Sequence, residues 1–479
     1  MREYLSQARK LAEKIMNHNN ITIISHIDAD GITSAAIASS ALDSIGKSHD
    51  VIFLKQLDPE SLNEIKKKGS ELYWFTDLGS GIVHEMYGMN VVITDHHSPS
   101  DLIFNVPKEK RKTLTDLFDE IDKNDILQLN PHFFGKDGGI DISGAGVTYL
   151  VAREINPTNV KLSTLAIVGA VGDLQDIAYL KLTGTNRYIL KEAEEFGFIK
   201  TEIDARFFGR ETRPIHKMLE YVSDPILPGI SGDERGALEF LNDLSIPLKN
   251  ENWRRWVDLT KEEKRKILSS MVKRMLASGY DSNTATRIIG EVYTLVKEKE
   301  GTYVRDSKEY ATLLNACGRY GEANVGFLVA KGDREENYSK AVNLLQKHRK
   351  VIVDGIDYLK DIGISKINNL QYFHAGSNIP DTVIGTIASI ILSSEIADPT
   401  LPIIGFAENE YGGIKISGRA PRELVDKGLD LSKAIREAAI AVGGNGGGHN
   451  IAAGGSIPKG KEEEFVNLLS SIIGKQLHV

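Results

Sequence analysis

Asp95-His96-His97 stands at the end of an apolar, β-rich run, Asn90-Val91-Val92-Ile93-Thr94. Three other acidic signatures follow short apolar runs in the same way. They are His26-Ile27-Asp28-Ala29-Asp30-Gly31, Asp77 closing Trp74-Phe75-Thr76-Asp77, and Asp173 after Leu165 to Gly172. Gly, Ser or polar residues bound each run, the pattern of parallel strands whose C-terminal ends carry carboxylates and imidazoles. Ligands of an open α/β sheet bind outside the carboxyl ends of the strands. Four such ends before residue 180 can pool their side chains in one crevice. A lone Asp at a strand end is ordinarily a helix cap or turn former. Four of them, in an order that lets them converge, point instead to a dinuclear metal site. Oxygen-rich donors with a few imidazoles suit Mn²⁺ or Mg²⁺ better than a thiolate site would. Two such ions, about 3.5–4 Å apart, are a common device for phosphoester hydrolysis.

A phosphodiester is anionic and resists attack by hydroxide, which is why this chemistry calls for two dications. Asp28 and Asp30 are separated by one residue, so in a strand they would point to opposite faces. Their convergence requires a turn, which Ala29 and Gly31 permit. The last signature has two readings, since Gly169 to Asp173 and Gly172 to Asp176 both satisfy Gly-x-x-x-Asp.

A chain of 479 residues is too long for one core and suggests two or three domains. Its net charge of −8 excludes a uniformly basic nucleic-acid coat. It leaves room for a local basic groove, because bound metals themselves attract phosphate. Cys317 is the only cysteine, so no internal disulfide forms and a reducing, intracellular setting fits. Cys317 itself reads as a small buried hydrophobe. The start, Met1-Arg2-Glu3-Tyr4-Leu5, lacks a signal-peptide apolar core, and no apolar run approaches the ~20 residues needed to cross a bilayer. The expected location is cytoplasmic.

Along the chain, Leu5, Ala8, Leu11, Ala12 and Ile15 form a helical stripe. Strands are expected at Ile21–Ile24, Val51–Leu54, Tyr73–Phe75 and Val91–Ile93, with a small-residue helix from Gly31 to Ala38. Thr260-Lys261-Glu262-Glu263 reads as a capping box opening a helix through about Ala277. Another helical run covers 336–362. The last domain opens with a strand near Gln371–Phe373 and continues through Ile384–Ala388, Pro402–Phe406 and Gly413–Ser417. In Trp253-Arg254-Arg255-Trp256, a stacking platform for single strands competes with ordinary core packing, which is favoured.

The C-terminal stretch Gly443–Gly448 could be a plain flexible loop. With His449 beside it and Ser417-x-Arg419 upstream, phosphate binding is the better reading. Amides free of side chains approach a phosphate closely, and Arg grips it bidentately. Arg187 and Arg319 are weaker candidates, with structural ion pairs as the alternative. His132 after Asn130-Pro131 approaches the metal crevice or only caps a loop.

The order His-x-Asp-x-Asp-Gly, Asp, Asp-His-His and Gly-x-x-x-Asp resembles the DHH phosphoesterase superfamily. Gly413-Ile414-Lys415-Ile416-Ser417-Gly418-Arg419 and Gly443-Gly444-Asn445-Gly446-Gly447-Gly448-His449 resemble the signatures of its associated DHHA1-type substrate-binding domain. Gly428-Leu429-Asp430-Leu431 and Ala452-Ala453-Gly454 fit as well. Asn130-Pro131-His132, Ser143-Gly144-Ala145-Gly146 and Thr185-Asn186-Arg187 narrow the resemblance to RecJ-like single-strand exonucleases of the archaeal branch. It covers about 18–190 and 365–479 well, and the middle only loosely.

The resemblance implies an α/β, two-lobed enzyme. A parallel-sheet metal domain would occupy 1–195, a mainly helical insertion and connecting helix 196–364, and a smaller α/β DHHA1-type domain 365–479. The scissile phosphate is expected between the lobes. Asp77 would bridge two divalent ions, Mn²⁺ first and Mg²⁺ second. His26 and Asp28 would complete one ion, and Asp30, His96 and Asp173 the other. Asp173 is preferred to Asp176 because the apolar run then stands where the family has it. Asp95 would orient the metal-ligating imidazole, and His97 would contact phosphate or the leaving oxygen. Ser417, Arg419, Gly446, Gly447, Gly448 and His449 would bind substrate.

The implied activity is exonucleolytic hydrolysis of single-stranded DNA, with RNA as a second substrate, in replication or repair. A phosphodiesterase for short oligonucleotides or cyclic dinucleotides is the enzyme alternative. A replication-helicase accessory subunit bound to the GINS complex is the non-enzymatic one. An intact ligand set disfavours a purely structural role.

Overall fold

The structure is a computed structural model that describes residues 2–99, 126–222, 224–392, 394, 396–409 and 412–478. The chain divides into two compact units, Met1–Leu345 and Gln346–Val479.

The first unit is built on a five-stranded sheet of order β2-β1-β3-β4-β5, parallel throughout. Helix α1 (Arg2–Met16) precedes β1 (Asn20–His26), α2 (Ala29–Asp43) and β2 (Ser48–Leu54). Then come β3 (Leu72–Thr76), β4 (Val91–Thr94) and β5 (Ile126–Leu129). β3 and β4 are buried along their whole length, the near-continuous hydrophobic run expected of a parallel strand covered on both faces. The order of connection reverses between β1 and β3. In open sheets that switch point is where ligands bind, and here the acidic signatures leave the sheet there. α2 is made largely of Ala, Ser, Gly and Thr and is buried over most of its surface, so its backbone approaches its neighbours closely.

Two further helices, α3 (Gly144–Ile155) and α4 (Ser163–Gly172), pack against α2. α4 corrects the expectation of a strand over Leu165–Gly172. A short, wholly apolar run cannot be told from a buried helix by period alone. Here Ala166, Gly169 and Ala170 let a helix sit buried on nearly every side, as helices apolar all round do.

The middle of the chain adds a two-stranded antiparallel sheet of β6 (Ile199–Ala205) and β7 (Ile289–Leu295). Helices lie between them in sequence, among them α5 (Lys261–Ala277), whose Thr260–Glu263 capping box forms as expected. Trp256 is fully buried in this region's core, whereas Trp253 is exposed. Arg254 is paired with Glu263 and Arg255 with Asp258, so the expected core packing holds for one tryptophan of the two. α6 (Ser307–Arg319) buries Cys317. In sequence, α7 (Glu336–Ile362) crosses from the first unit into the second.

The second unit holds a six-stranded mixed sheet of order β12-β13-β11-β10-β9-β8. Its strands are β8 (Ser365–Ile367), β9 (Leu370–Gly376), β10 (Ile403–Glu408), β11 (Ile414–Arg419), β12 (Asn445–Gly448) and β13 (Ala452–Ile457). Of the apolar segments expected to build this domain, Ile384–Ala388 lies in a helix, α8 (Ile384–Leu392). Helices α9 (Leu431–Ala441) and α10 (Glu462–Leu477) bury Ile435 and Leu469 with Ile404, Phe406 and Ile416 of the sheet. Among the described residues no helix is long and apolar enough to cross a membrane.

Candidate metal centre

β1 ends at His26, and the chain turns at once into α2. Asp28 caps that helix, its Oδ1 accepting the Gly31 amide at 2.9 Å. Asp30 falls in the first helical turn. The helix start, not the strand, therefore brings the two carboxylates to one side. Asp30 accepts the Gly144 amide at 2.7 Å and the Ala145 amide at 3.0 Å, the first two amides of α3. Unpaired amides at a helix start favour a carboxylate both by hydrogen bonding and by the helix dipole. Beyond β3, Asp77 takes φ 59°, a left-handed conformation that Asp adopts more readily than most residues. A Cβ at Gly144 would lie 2.5 Å from Asp77 Oδ1, so this close approach of helix to carboxylate admits only glycine.

Beyond β4, Asp95 folds back under its own neighbours. Its Oδ1 accepts the amides of His96 and His97 and the His97 ring Nδ1 at 2.9 Å, and its Oδ2 accepts the Ser80 amide. It thus orients His97, not the His96 imidazole as expected. The His96 ring is held by the Gly138 carbonyl, 2.8 Å from Nδ1, which turns Nε2 toward the carboxylates.

The side chains converge. His26 Nδ1 lies 3.0 Å from Asp28 and 3.9 Å from Asp77. His96 Nε2 lies 3.2 Å from Asp77, 3.6 Å from Asp30 and 3.7 Å from Asp173. Three groups of ligand atoms each lie within 4.8 Å of one another: His26, Asp28 and Asp77; Asp30, His96 and Asp173; Asp77, His96 and His97. Asp173 belongs to this cluster. Asp176 turns away into a buried ion pair with Arg206.

Neither oxygen of the buried Asp77 carboxylate has a hydrogen-bond partner among the described residues, and neither has His96 Nε2. Leaving such groups unmade inside a protein is costly. Burial, with Asp30 and Asp28 close by, raises the Asp77 pKa well above its ordinary value. Burial likewise raises Asp173, to about 6. Burial would depress His26 and His96, but the neighbouring carboxylates outweigh it and raise both. The hydrogen bond that His97 donates to Asp95 raises the His97 pKa to about 9. Orphaned carboxylate and imidazole atoms aimed at one another fit divalent cations, which would take the place of the missing partners.

The supporting residues were largely unread. Gln175 Nε2 donates to Asp173 Oδ2 and to the Gly138 carbonyl, both at 2.8 Å, and Asn186 holds Gln175 Oε1 at 2.6 Å. One amide side chain therefore steadies ligands from two elements. Asn130 is buried and donates to the His97 carbonyl at 2.9 Å. These Asn residues sit in the quoted Asn130-Pro131-His132 and Thr185-Asn186-Arg187 motifs, but Gln175 and Gly138 carried no such signal. His132 lies beside Gly138 and joins none of the three ligand groups. Arg187 is tied to Glu291 and the Leu182 carbonyl. Arg319 closes α6, directly after Gly318, whose backbone abuts the Ile27 carbonyl. A cavity of about 350 Å³ opens from the cluster, lined by His26, Asp77 and His97 and by Lys55, Leu57 and Ile82.

In the second unit, Ser417 stands in register with Gly454, and Gly454 with Gly447. Arg419 pairs with Ala452, beside the turn that carries the exposed His449. The Arg419 guanidinium donates to Ser389 Oγ at 2.8 Å and to the Gly418 carbonyl at 2.8 Å. The strand register brings Ser417, Arg419, Gly446, Gly447, Gly448 and His449 to one corner of the sheet.

Three family models match the chain: the DHH family N-terminal domain at 20–169, the DHH-CID domain at 207–289 and the DHHA1 domain at 368–475. An uncharacterized protein of Methanocaldococcus jannaschii is 33% identical over 100% of this chain and 99% of its own length. The single-stranded-DNA-specific exonuclease RecJ of Escherichia coli is 30% identical over 21% of this chain and 20% of its own. Among solved structures, RecJ of Thermus thermophilus in complex with Mn²⁺ matches 98% of this chain at 18% identity and TM-score 0.57. The match spans 55% of that longer protein. CDC45 of Entamoeba histolytica matches 98% of this chain and 99% of its own length at 14% identity and TM-score 0.64. With all three domain models in order and a whole-length relative, the chain belongs to the DHH phosphoesterase family, as a RecJ-like member.

Proposed function

We propose that the protein is a divalent-metal-dependent exonuclease that hydrolyses phosphodiester bonds of single-stranded DNA to mononucleotides, with RNA as a second substrate, in DNA replication or repair in the cytoplasm. The observation that carries this reading is the set of three overlapping ligand groups, two of them containing Asp77, whose two buried oxygens have no hydrogen-bond partner among the described residues. His26, Asp28 and Asp77 would hold one ion, and Asp30, Asp77, His96 and Asp173 the other. The Thermus relative crystallised with Mn²⁺, which supports that ion first and Mg²⁺ second. Bound divalent ions supply charge neutralisation of the phosphodiester and an activated water.

The chain's own residues do the rest. Asp30 stays fixed on the start of α3, and Gln175 keeps Asp173 and the His96 ring in place. His97, held by Asp95 and protonated at neutral pH, presents a donor to a phosphate oxygen or to the departing oxygen. Lys55 and the apolar wall of the adjoining cavity receive the nucleoside next to the scissile bond. Ser417, Arg419, Gly446, Gly447, Gly448 and His449 bind a further phosphate, which assigns a catalytic region to 1–195, a connecting region to 196–364 and a substrate-binding region to 365–479. Short oligonucleotides or cyclic dinucleotides are the alternative substrates within the same chemistry.

Digestion of end-labelled single-stranded DNA and RNA, with Mn²⁺ and Mg²⁺ compared, tests the reading. Mononucleotide release that needs metal and disappears in Asp77→Ala is expected. Absence of any cleavage by the wild type, on either polymer with either ion, would overturn it. The whole-length likeness to CDC45 favours a second role as a replication-helicase accessory subunit bound to GINS. Co-purification with GINS at micromolar concentration checks it, and separate elution counts against it.

A further inference from the structure

The first unit holds a second cavity, of about 340 Å³. Leu174, next in sequence to the ligand Asp173, forms one wall, in a left-handed conformation and largely exposed. Phe207, Phe208 and Tyr221 supply aromatic walls, and Arg206, Arg287 and Lys308 the basic groups. All of these belong to the first compact unit.

The three cations are not equivalent. Arg206 is buried and neutralised by Asp176. Lys308 donates one hydrogen bond, to the Arg206 carbonyl at 2.8 Å, and forms no ion pair among the described residues. Burial lowers its pKa, and the nearby carboxylates Asp176, Asp306 and Asp224 act in the opposite sense. The exposed Arg287 side chain meets no acceptor among the described residues. Among the described residues Asp224 is the one acidic residue that lines the space itself, so this lining keeps an excess of positive charge. Phe208 and Tyr221 are bridged by Arg213, whose guanidinium carbon lies 4.8 Å and 4.6 Å from their ring centres. That bridge steadies the aromatic wall.

Two cations and three aromatic rings lining one space of this size suit an anion carried on a flat apolar body. Ligand pockets commonly begin near this volume, and bases stack on aromatic faces with little sequence preference. We infer that this cavity is a second nucleotide site, in which Arg287 and Lys308 take the phosphate and the Tyr221–Phe208 wall takes the base. The choice of a nucleotide rests on the nuclease reading, but the cavity lies outside the metal ligands. Its occupant is either a free nucleoside monophosphate, the expected reaction product, or one nucleotide of a longer strand.

The test is calorimetric titration of the full-length protein in EDTA, where hydrolysis is absent. The probes are dAMP, deoxyadenosine and a short oligodeoxynucleotide. The proteins are wild type, Arg287→Ala and Tyr221→Ala, both changes on exposed side chains, with Asp77→Ala as a control. Wild type should bind dAMP more tightly than deoxyadenosine. Arg287→Ala should weaken the phosphate-bearing probes by about tenfold while leaving deoxyadenosine unchanged. Tyr221→Ala should weaken all of them. A loss on dAMP and oligonucleotide together assigns a free-nucleotide site; a loss on the oligonucleotide alone assigns a strand position, and either supports the site. Wild type that binds no phosphate-bearing probe overturns it. So do variants that bind the oligonucleotide as wild type does. Asp77→Ala should retain this binding while losing hydrolysis, so failure of the cavity and failure of the nuclease reading give different results.

Discussion

Asp77 and Asp204 are both buried carboxylates of the first unit, yet their surroundings are opposite. Asp204 Oδ1 accepts the Ala205 amide and the Trp256 indole, and its Oδ2 accepts from Arg210 and Lys264, all at 2.8–3.1 Å. Asp306 next to it is filled in the same way, by Arg210 and by the first amides of α6. Burial alone would raise the Asp204 pKa, but Arg210 and Lys264 outweigh it and lower it. Asp77 has no such hydrogen-bond partner among the described residues, and its pKa is raised. Burial with opposite satisfaction separates a carboxylate that holds a fold together from one reserved for something not in the chain. The first loses structure when removed, and the second loses only chemistry.

The largest effect tests that division directly. Asp77→Ala should lower metal-dependent hydrolysis by at least about a thousandfold, on the order of 4 kcal/mol in the barrier. Its metal-free melting temperature should stay close to that of the wild type, because the side chain makes no hydrogen bond among the described residues. Near wild-type turnover would erase the distinction. Asp204→Ala should do the reverse, costing about 3–5 kcal/mol in chemical denaturation by stranding Arg210 and Lys264. Turnover per folded molecule should be unchanged; a stability loss below about 1 kcal/mol would mean that the network is ornamental.

Gln175→Ala lies between the two, since Gln175 touches ligands without being one. Metal affinity, followed by calorimetry, should fall about 10–100-fold with the fold intact. Unchanged affinity would remove Gln175 from the site.

The metal-free protein should also show the strain of the site as a pH dependence. Asp77, Asp173, His26, His96 and His97 all have raised pKa values, so the native state binds more protons than the unfolded chain. The contribution of these groups to stability then falls as pH rises from about 4, past the Asp173 value of about 6, to the His97 value of about 9. Asp28 and Asp95, lowered by their histidines, act in the opposite sense only below the ordinary carboxylate range. The melting-temperature gain on adding Mn²⁺ should widen over the same window. A gain independent of pH would contradict the proton linkage. The smallest effect is Arg419→Ala, which should weaken oligonucleotide capture about tenfold at low salt and less at high salt. Hydrolysis of a small model diester should suffer less; equal losses on both substrates would place Arg419 at the reaction centre instead.

The strands were legible because Ile21–Ile24, Tyr73–Phe75 and Val91–Ile93 are apolar runs of strand length with polar ends. The ligands were legible because each closes such a run. Leu165–Gly172 misled because a helix buried on nearly all sides has no periodic face to read. Asp95 was assigned to the wrong imidazole since adjacent histidines differ in sequence only by position. The backbone turn after β4 decides which ring folds back on the carboxylate. Gln175 and the Gly138 carbonyl were invisible because a single amide or a backbone oxygen carries no spacing pattern. Their role exists only once α4 and the loop after β5 are brought together.

Asp30 has a further consequence. Its two oxygens are clamped by the first amides of α3, so it cannot swing aside when the site is empty of cations. The orientational entropy of that ligand is already surrendered when the protein folds. Loading should therefore proceed with little change in heat capacity or in amide exchange across α2 and α3, and the cage should discriminate ions by radius rather than adapt to each.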